Sequence, residues 1–181
     1  MKGWIIMTNI WRIHLRKGGV GDSVSISDYC IHHMIAAMGW ILNKKENDDI
    51  KNGKIIINSY QDYAKYAEKV YDKFDDVRRL AEEVKPGDFI WTRCDNIYYL
   101  AKVSENSKYH YNSSDAAIEN DACNQLTNIE WKRIGDDQVV DTNIIKKEWF
   151  EQGQTLRRLI NPEKNENSFK LALKYTQDIY N

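Results

Sequence analysis

The segment from Lys85 to Val103 constrains the fold of this chain more than any other stretch. It opens with Pro86-Gly87-Asp88, and this is turn chemistry because proline presets φ and glycine accepts conformations that other residues resist. Two runs rich in aromatic and β-branched residues follow, Phe89 to Arg93 and Ile97 to Val103, and such runs suit half-buried strands. Asp95-Asn96 separates them as a short loop. We therefore predict a turn followed by a β-hairpin.

Length and composition favour one globular domain. The chain has 181 residues, of which 42% are hydrophobic and 29% charged, and this balance favours a globular class over disordered or membrane classes. The formal net charge is −1. A protein that depends on non-specific phosphate contacts is normally basic, so any nucleic-acid binding has to come from a local site or from a partner.

Two residue types stand out in the composition. There are six tryptophans and eleven tyrosines but only four phenylalanines, and Trp and Tyr recur both in cores and at binding surfaces. The cysteines, Cys30, Cys94 and Cys123, form no C-x-x-C pair, which argues against a disulfide framework or a zinc site and fits a reducing cytoplasm. We expect no cofactor and no metal. Residues 1–7 are too short for a signal or membrane segment, and Met7 could be the natural start.

Hydrophobic periodicity predicts the elements before the hairpin. Alternation places Trp11, Ile13 and Leu15 on one face of a half-buried strand. The predicted elements are a strand over 9–16, a glycine-rich loop over 17–22, a helix from Ser25 or Ser27 to Ala37, a short strand over 40–42, a loop over 48–54, and helices over 59–73 and 77–84. His33 lies on the apolar stripe of the first helix and is predicted to be partly buried.

The same analysis predicts the elements after the hairpin. An irregular acidic stretch leads to Asn124, and the predicted elements that follow are a strand over 128–134, a turn over 135–137, a short helix over 142–151, a strand over 155–160 and a C-terminal helix over 166–179. The resulting domain organisation is a disordered or non-native start over 1–8, one domain over 9–160, and a C-terminal helix within 161–181 that packs on it.

Three segments carry a resemblance to a known family: Ile10-Trp11-Arg12-Ile13, Gly39-Trp40 after the first helix, and Lys85 to Trp91. With them the chain resembles the PUA-like superfamily, and more narrowly its EVE and YTH-like branch. The resemblance implies an α+β fold, a small PUA-like β-barrel of about five to six strands flanked by helices. It also implies DNA or RNA carrying a modified base as the partner, with the base held in an aromatic cage.

In bacteria, similar domains belong to modification-dependent restriction systems and are usually fused to a nuclease or motor. This chain has no room for either. Three alternatives remain open: a stand-alone reader, one subunit of a defence system that acts with a nuclease or motor partner protein, or an excised domain. Stacking on an aromatic side chain contributes about 1–3 kcal/mol per base, and a flipped base needs two walls and hydrogen bonds to its edge. Trp40 and Trp91 are the predicted walls, and Tyr99, Tyr111 and Trp11 are the substitutes. Arg93, Asp95 and Asn96 are predicted to read base edges or contact phosphate.

Four other interpretations remain open: core packing, a protein-interaction module, a metal-dependent nuclease and nucleophilic catalysis. Core packing competes with the cage for every tryptophan. Exposed aromatics would instead serve a protein-interaction or regulatory module. Glu130-Trp131-Lys132, with Asp115 and Asp121 upstream, matches the E-x-K pattern of metal-dependent nucleases, although a solvated strand face explains it too. Cys94 with His110 is a weaker nucleophile–base pair. The basic pairs Lys146-Lys147 and Arg157-Arg158 could follow a phosphate backbone.

Overall fold

The structure is a computed structural model, and it describes residues 8–15, 26–151, 154–161 and 163–181. Residues 1–7, Arg16, the glycine-rich loop and Ser25 lie outside the described residues. The strands are β1 (Ile10–Ile13), β2 (Ala36–Met38), β3 (Phe89–Cys94), β4 (Ile97–Lys102), β5 (Tyr109–Tyr111), β6 (Asn124–Leu126), β7 (Lys132–Gly135) and β8 (Leu156–Arg158). The helices are α1 (Ser27–His32), α2 (Lys44–Lys51), α3 (Tyr60–Ala67), α4 (Asp75–Arg78), α5 (Asp115–Glu119) and α6 (Glu166–Tyr180). A π-helical turn, Arg79–Glu83, continues α4, and a 3₁₀ turn spans Lys147–Phe150.

The strands form two sheets. The larger has the order β7-β4-β3-β1-β8, in which β1 and β3 run parallel and the other neighbours run antiparallel. The smaller is antiparallel, with the order β2-β6-β5. The α+β prediction is therefore confirmed. In the described part of the chain the strands do not close into one barrel, and eight strands replace the expected five to six.

The central hairpin is as predicted. Cys94 pairs with Ile97 across a two-residue loop, and both loop residues have positive φ, 49° at Asp95 and 64° at Asn96. Asp and Asn tolerate this left-handed conformation better than most residues, and two positive φ values match the twist of the flanking strands. The C-terminal helix is also confirmed, as α6 begins at Glu166 and its N-cap Asn165 accepts a hydrogen bond from Ser168 N.

The central strands of the larger sheet are covered on both faces. Trp11, Ile13 and Ile90 face a core shared with the smaller sheet and with α1, α3 and α4. Ile10 and Trp91 face a second core covered by α6 and by the chain between β7 and β8. The prediction of a half-buried first strand is therefore wrong: all four residues of β1 are buried, because β3 and β8 flank it and both faces are covered.

The first predicted helix is too long. It ends at His32, Met34 adopts φ 53°, and Ala36–Met38 form β2 instead of a further helical turn. Helical and strand periods are difficult to separate in so short an apolar run, and pairing with β6 decides the outcome. His33 is consequently exposed, not partly buried, and its Nδ1 lies 2.8 Å from Tyr29 O.

Several boundaries also differ from the prediction. The polar segment expected as a loop over 48–54 belongs largely to α2, whereas residues 40–42 form no strand. The stretch before Asn124 contains β5 and α5, and the predicted helix over 142–151 shortens to a 3₁₀ turn. Of the described helices, none has the combination of length and apolar composition needed to cross a membrane.

Candidate functional site

The structure separates the two predicted cage walls. Trp91 is fully buried beneath α6, where its Nε1 donates to Thr176 Oγ1 at 3.2 Å. Trp40 is half-buried at the edge of the other core, on the opposite face of the larger sheet. A base could not be sandwiched between two rings that lie on opposite faces of a sheet. Trp91 is therefore a core residue, whereas Trp40 is a half-buried residue at the protein surface.

The distinctive Gly-Asp element anchors Trp11. Asp88 is 1% exposed, and its Oδ2 accepts from Trp11 Nε1 at 2.8 Å and from Lys85 N at 3.1 Å. Its Oδ1 accepts from Asn9 N at 2.7 Å. With Asn9 Nδ2 at 3.3 Å from Oδ1, four donors satisfy one buried carboxylate, which ties the start of β3 to β1 and fixes the indole plane of Trp11.

The two predicted tyrosines differ in surroundings. Tyr111 is buried, and its Oη accepts from Leu42 N at 2.9 Å and donates to Asn47 Oδ1 at 2.9 Å. Tyr99 is half-buried on β4, opposite Thr92 of β3. Tyr111 is therefore a support residue for the segment that follows Trp40, and Tyr99 lies in a different sheet.

The predicted edge-reading residues form one polar cluster at the hairpin loop. Arg93 Nη2 donates to Asn96 Oδ1 at 3.0 Å and to Asp137 Oδ2 at 3.2 Å, and its guanidinium lies 5.2 Å from the Tyr98 ring centre. Lys147 Nζ is 3.5 Å from the same carboxylate. The hydrogen bond from Tyr98 Oη, at 2.9 Å, and the charges of Arg93 and Lys147 lower the pKa of Asp137. Asp95 occupies the loop itself.

Trp40 has a backbone conformation that is uncommon for its residue type. Its φ is 51°, a left-handed value at which a bulky side chain is a genuine outlier. Its indole Nε1 donates to Lys73 O at 3.1 Å, just before α4. Strained backbone persists where the surrounding structure over-determines it, and such positions cluster at binding sites.

Side-chain hydrogen bonds hold the backbone of residues 39–42, hereafter the Trp40 segment. Tyr63 Oη donates to Trp40 O at 2.8 Å, and Tyr71 Oη donates to Ile41 O at 2.7 Å. Asn124 Nδ2 donates to Gly39 O and, at 3.3 Å, to Trp40 O. With the bond from Leu42 N to Tyr111, the segment is fixed without belonging to a helix or a strand.

Gly39 has a steric role in the Trp40 segment. A Cβ atom at this position would lie 2.2 Å from Asp121 Oδ1 and 2.6 Å from Asp121 Cγ. Asp121 itself has φ 51°. Asp121 therefore approaches the Gly39 backbone closely, and Trp40 follows with a strained backbone. This arrangement explains why glycine precedes tryptophan here.

An aromatic layer lies behind the Trp40 segment. Tyr63 stacks on Tyr111 with ring centres 5.2 Å apart, and edge contacts extend the layer through Phe74 at 6.0 Å from Tyr63 and through Tyr109 at 6.5 Å from Tyr60. Burial raises the pKa of Tyr63, Tyr109 and Tyr111, so their hydroxyls remain neutral donors. The sequence predicts the tyrosines of α3 as core residues, but it gives no signal that their hydroxyls position Trp40.

A basic cleft of about 320 Å³ lies at the other end of the helical segment that begins after Lys73. We call it the arginine cleft, and its lining residues are Trp11, Arg79, Glu83, Gln154, Arg157, Arg158 and Asn161. Trp11 pairs with Arg158 across β1 and β8, and the Arg158 guanidinium covers the indole ring at 5.1 Å. One predicted wall residue, Trp11, and one predicted basic pair thus meet here.

A larger cavity, about 590 Å³, is open and mixed in character. Lys102, Glu105, Glu130 and Tyr180 are among its lining residues. Its charges are of both signs, and among the described residues Tyr180 is the only aromatic one in its lining. This part of the chain therefore offers the cavity one ring and no second wall for a planar ligand.

The nuclease pattern is dispersed. Lys132 Nζ binds the last carbonyls of α6, at 2.6 Å from Tyr180 O and 3.3 Å from Ile179 O, and Asp115 pairs with Lys51 at 2.6 Å. Asp121 lies against Gly39. Within the ranges that the structure describes, no group of three or more His, Cys, Asp and Glu side chains could hold a metal ion.

In the described residues, Cys94 and His110 are not brought together as a nucleophile and its base. Cys94 is on β3 of the larger sheet, whereas His110 is exposed on β5 of the smaller one. All three cysteines are free thiols. Burial raises the pKa of the Cys30 and Cys123 thiols to about 12, so these two are protonated at neutral pH and poor nucleophiles.

The exposed large hydrophobic residues in the described ranges come from separate parts of the sequence. Met34, Ile56, Val70, Val139 and Leu171 belong to five different segments of the chain.

Comparison with protein-family models, with curated proteins and with solved structures finds no match for this chain.

Proposed function

We propose that this protein is a non-catalytic nucleic-acid reader in which Trp40 is the wall that stacks on an extruded base. The single observation that carries the proposal is the half-buried Trp40 ring on a left-handed backbone held by side chains. A preorganised ring favours stacking, because less ordering entropy is lost when the ligand binds.

The proposal also covers the identity of the ligand and its biological setting. The base is modified and lies in DNA or RNA, the fold is of the PUA-like, EVE and YTH-like type, and the reader works in the cytoplasm beside a separate nuclease or motor protein. The ligand, the type of fold and the partner protein follow from the resemblance of the Ile10–Ile13, Gly39-Trp40 and Lys85–Trp91 segments, and the cytoplasm follows from three cysteines without a C-x-x-C pair. An EVE-type reader in a modification-dependent restriction system is the most specific form of the proposal.

Substitution of Trp40 tests the proposal. We expect Trp40→Leu to weaken binding of a single-stranded oligonucleotide with a methylated or hydroxymethylated base by about 5- to 150-fold, since stacking contributes about 1–3 kcal/mol. Trp40→Tyr keeps an aromatic face and should retain most of the affinity. Fluorescence anisotropy of labelled oligonucleotides, unmodified and modified, measures both variants.

The matched control is Trp149→Leu. Trp149 is also half-buried but packs against the opposite core, under the other face of the larger sheet. Its replacement should leave oligonucleotide affinity unchanged. Equal affinity of the wild type and the folded Trp40→Leu variant for every oligonucleotide would contradict the proposal, and so would equal losses in Trp40→Leu and Trp149→Leu.

A further inference from the structure

We propose that the arginine cleft is a second nucleic-acid subsite, one that binds the phosphate backbone of the strand whose base stacks on Trp40. The inference rests on the proposed function for its ligand, but it depends on different residues. Arg79, Arg157 and Arg158 line the cleft together with Gln154 and Asn161. Guanidinium groups and amide groups are the side chains that most often bind phosphate oxygens.

The charge around the cleft favours an anion. Among the described residues its lining contains three arginines and one carboxylate, Glu83. Arg78 neutralises that carboxylate, with Nη2 2.8 Å from Glu83 Oε1. Asp76 holds Arg79 at 3.0 Å and also accepts from Leu156 N at 3.3 Å. Asp76 thereby ties Arg79 to the β8 strand that carries Arg157 and Arg158, and the net local charge remains positive although the whole chain carries −1.

Trp11 is the rigid floor of the cleft. The ring is 1% exposed, its Nε1 is bound to the buried Asp88, and Arg158 lies over its face. A guanidinium that packs over an aromatic ring is partly ordered before it binds phosphate, which reduces the rotamer entropy lost on binding. Trp11, predicted as a substitute base wall, thus acts here by positioning an arginine.

The two subsites are joined by one short helical segment. Trp40 Nε1 binds Lys73 O, and Arg79 follows six residues later, after α4. Because the same short segment contacts Trp40 at one end and carries Arg79 into the arginine cleft at the other, one strand that contacts both subsites would follow this segment.

An abasic single strand, which carries phosphates but no bases, isolates the arginine cleft from Trp40. We expect Arg157→Gln and Arg158→Gln each to weaken its binding by about 5-fold and to reduce the slope of log K against log salt by about 0.7 to 1. Arg133→Gln is the matched control, because Arg133 is exposed on β7, the opposite edge strand of the same sheet. Trp40→Leu should leave abasic binding unchanged.

The outcomes separate the two proposals. Abasic binding that is weakened in the Arg157 and Arg158 variants but not in Arg133→Gln supports the cleft even if no modified base is preferred, a result that would count against the base reader alone. Preference for a modified base with no effect of either arginine, or with an equal effect of Arg133→Gln, overturns the cleft and leaves the reader intact. Circular dichroism and thermal unfolding of each variant confirm that the comparison is between folded proteins.

Discussion

Gly39 shows how one residue determines the backbone that presents Trp40. Gly39→Ala would place a Cβ atom 2.2 Å from a carboxylate oxygen of Asp121, and either the Asp121 side chain or the backbone has to shift to relieve the clash. We expect the free energy of unfolding to fall by about 1–3 kcal/mol, as for other overpacked sites, and chemical denaturation in urea measures the change. Gly53→Ala is the control without a steric clash. Gly53 has φ 71° and a Cβ atom there would meet no described atom within 4 Å, so this substitution tests backbone strain alone. A fully stable Gly39→Ala variant would contradict the steric role.

Asp137 gives the hairpin cluster a predictable pH dependence. Its pKa is lowered by the hydrogen bond from Tyr98 and by Arg93 and Lys147, so its stabilising contribution is present above the unfolded-state pKa, about 3.9, and is lost as the pH falls through the folded value. We expect Asp137→Asn to be less stable than the wild type at pH 7, with a difference that disappears in strong acid. Thermal unfolding from pH 7 to pH 2 measures this. A difference that grows toward low pH would have the wrong sign.

At the scale of elements, Lys132 links β7 to the end of α6. Its ammonium group binds the carbonyls of Ile179 and Tyr180, where a cation is favourable for the helix dipole. Lys132→Met keeps the chain length without the charge, and we expect a loss of about 0.5–1 kcal/mol in stability by thermal unfolding. Lys170→Met, within the exposed part of the same helix, is the control and should cost less. Unchanged stability in Lys132→Met would contradict this structural explanation of the E-x-K pattern.

The elements also show what the sequence could predict. The hairpin and α6 follow from local signals: turn residues between two β-rich runs, and a helical apolar stripe with an asparagine cap. The apolar residues between 27 and 38 fit both the helical and the strand period, so the sequence alone predicts too long a helix. Pairing with β6 makes Ala36–Met38 a strand. The polar composition of α2 gives no apolar stripe at all, and its helix is visible only once its packing is known.

For the whole molecule, the aromatic surplus has a structural explanation that composition could not provide. Trp11 and Trp91 fill opposite faces of one sheet, and alternation along adjacent strands predicts this once their register is known. The position of Trp40 at an element boundary could be predicted, but not its left-handed backbone, which depends on long-range hydrogen bonds from Tyr63 and Asn124. The arginine cleft likewise brings together residues separated by more than seventy positions, as the Asp76–Thr155 hydrogen bond shows.

The most direct test of the account is the indole resonance of Trp40 in a ¹H–¹⁵N spectrum, assigned as the one of six tryptophan signals that Trp40→Leu removes. On titration with an oligonucleotide that carries a modified base, we expect this resonance to shift in a saturable way, while the buried Trp91 indole stays in place. A saturating titration that moves other indole signals but not that of Trp40 would contradict the claim that Trp40 is the base wall.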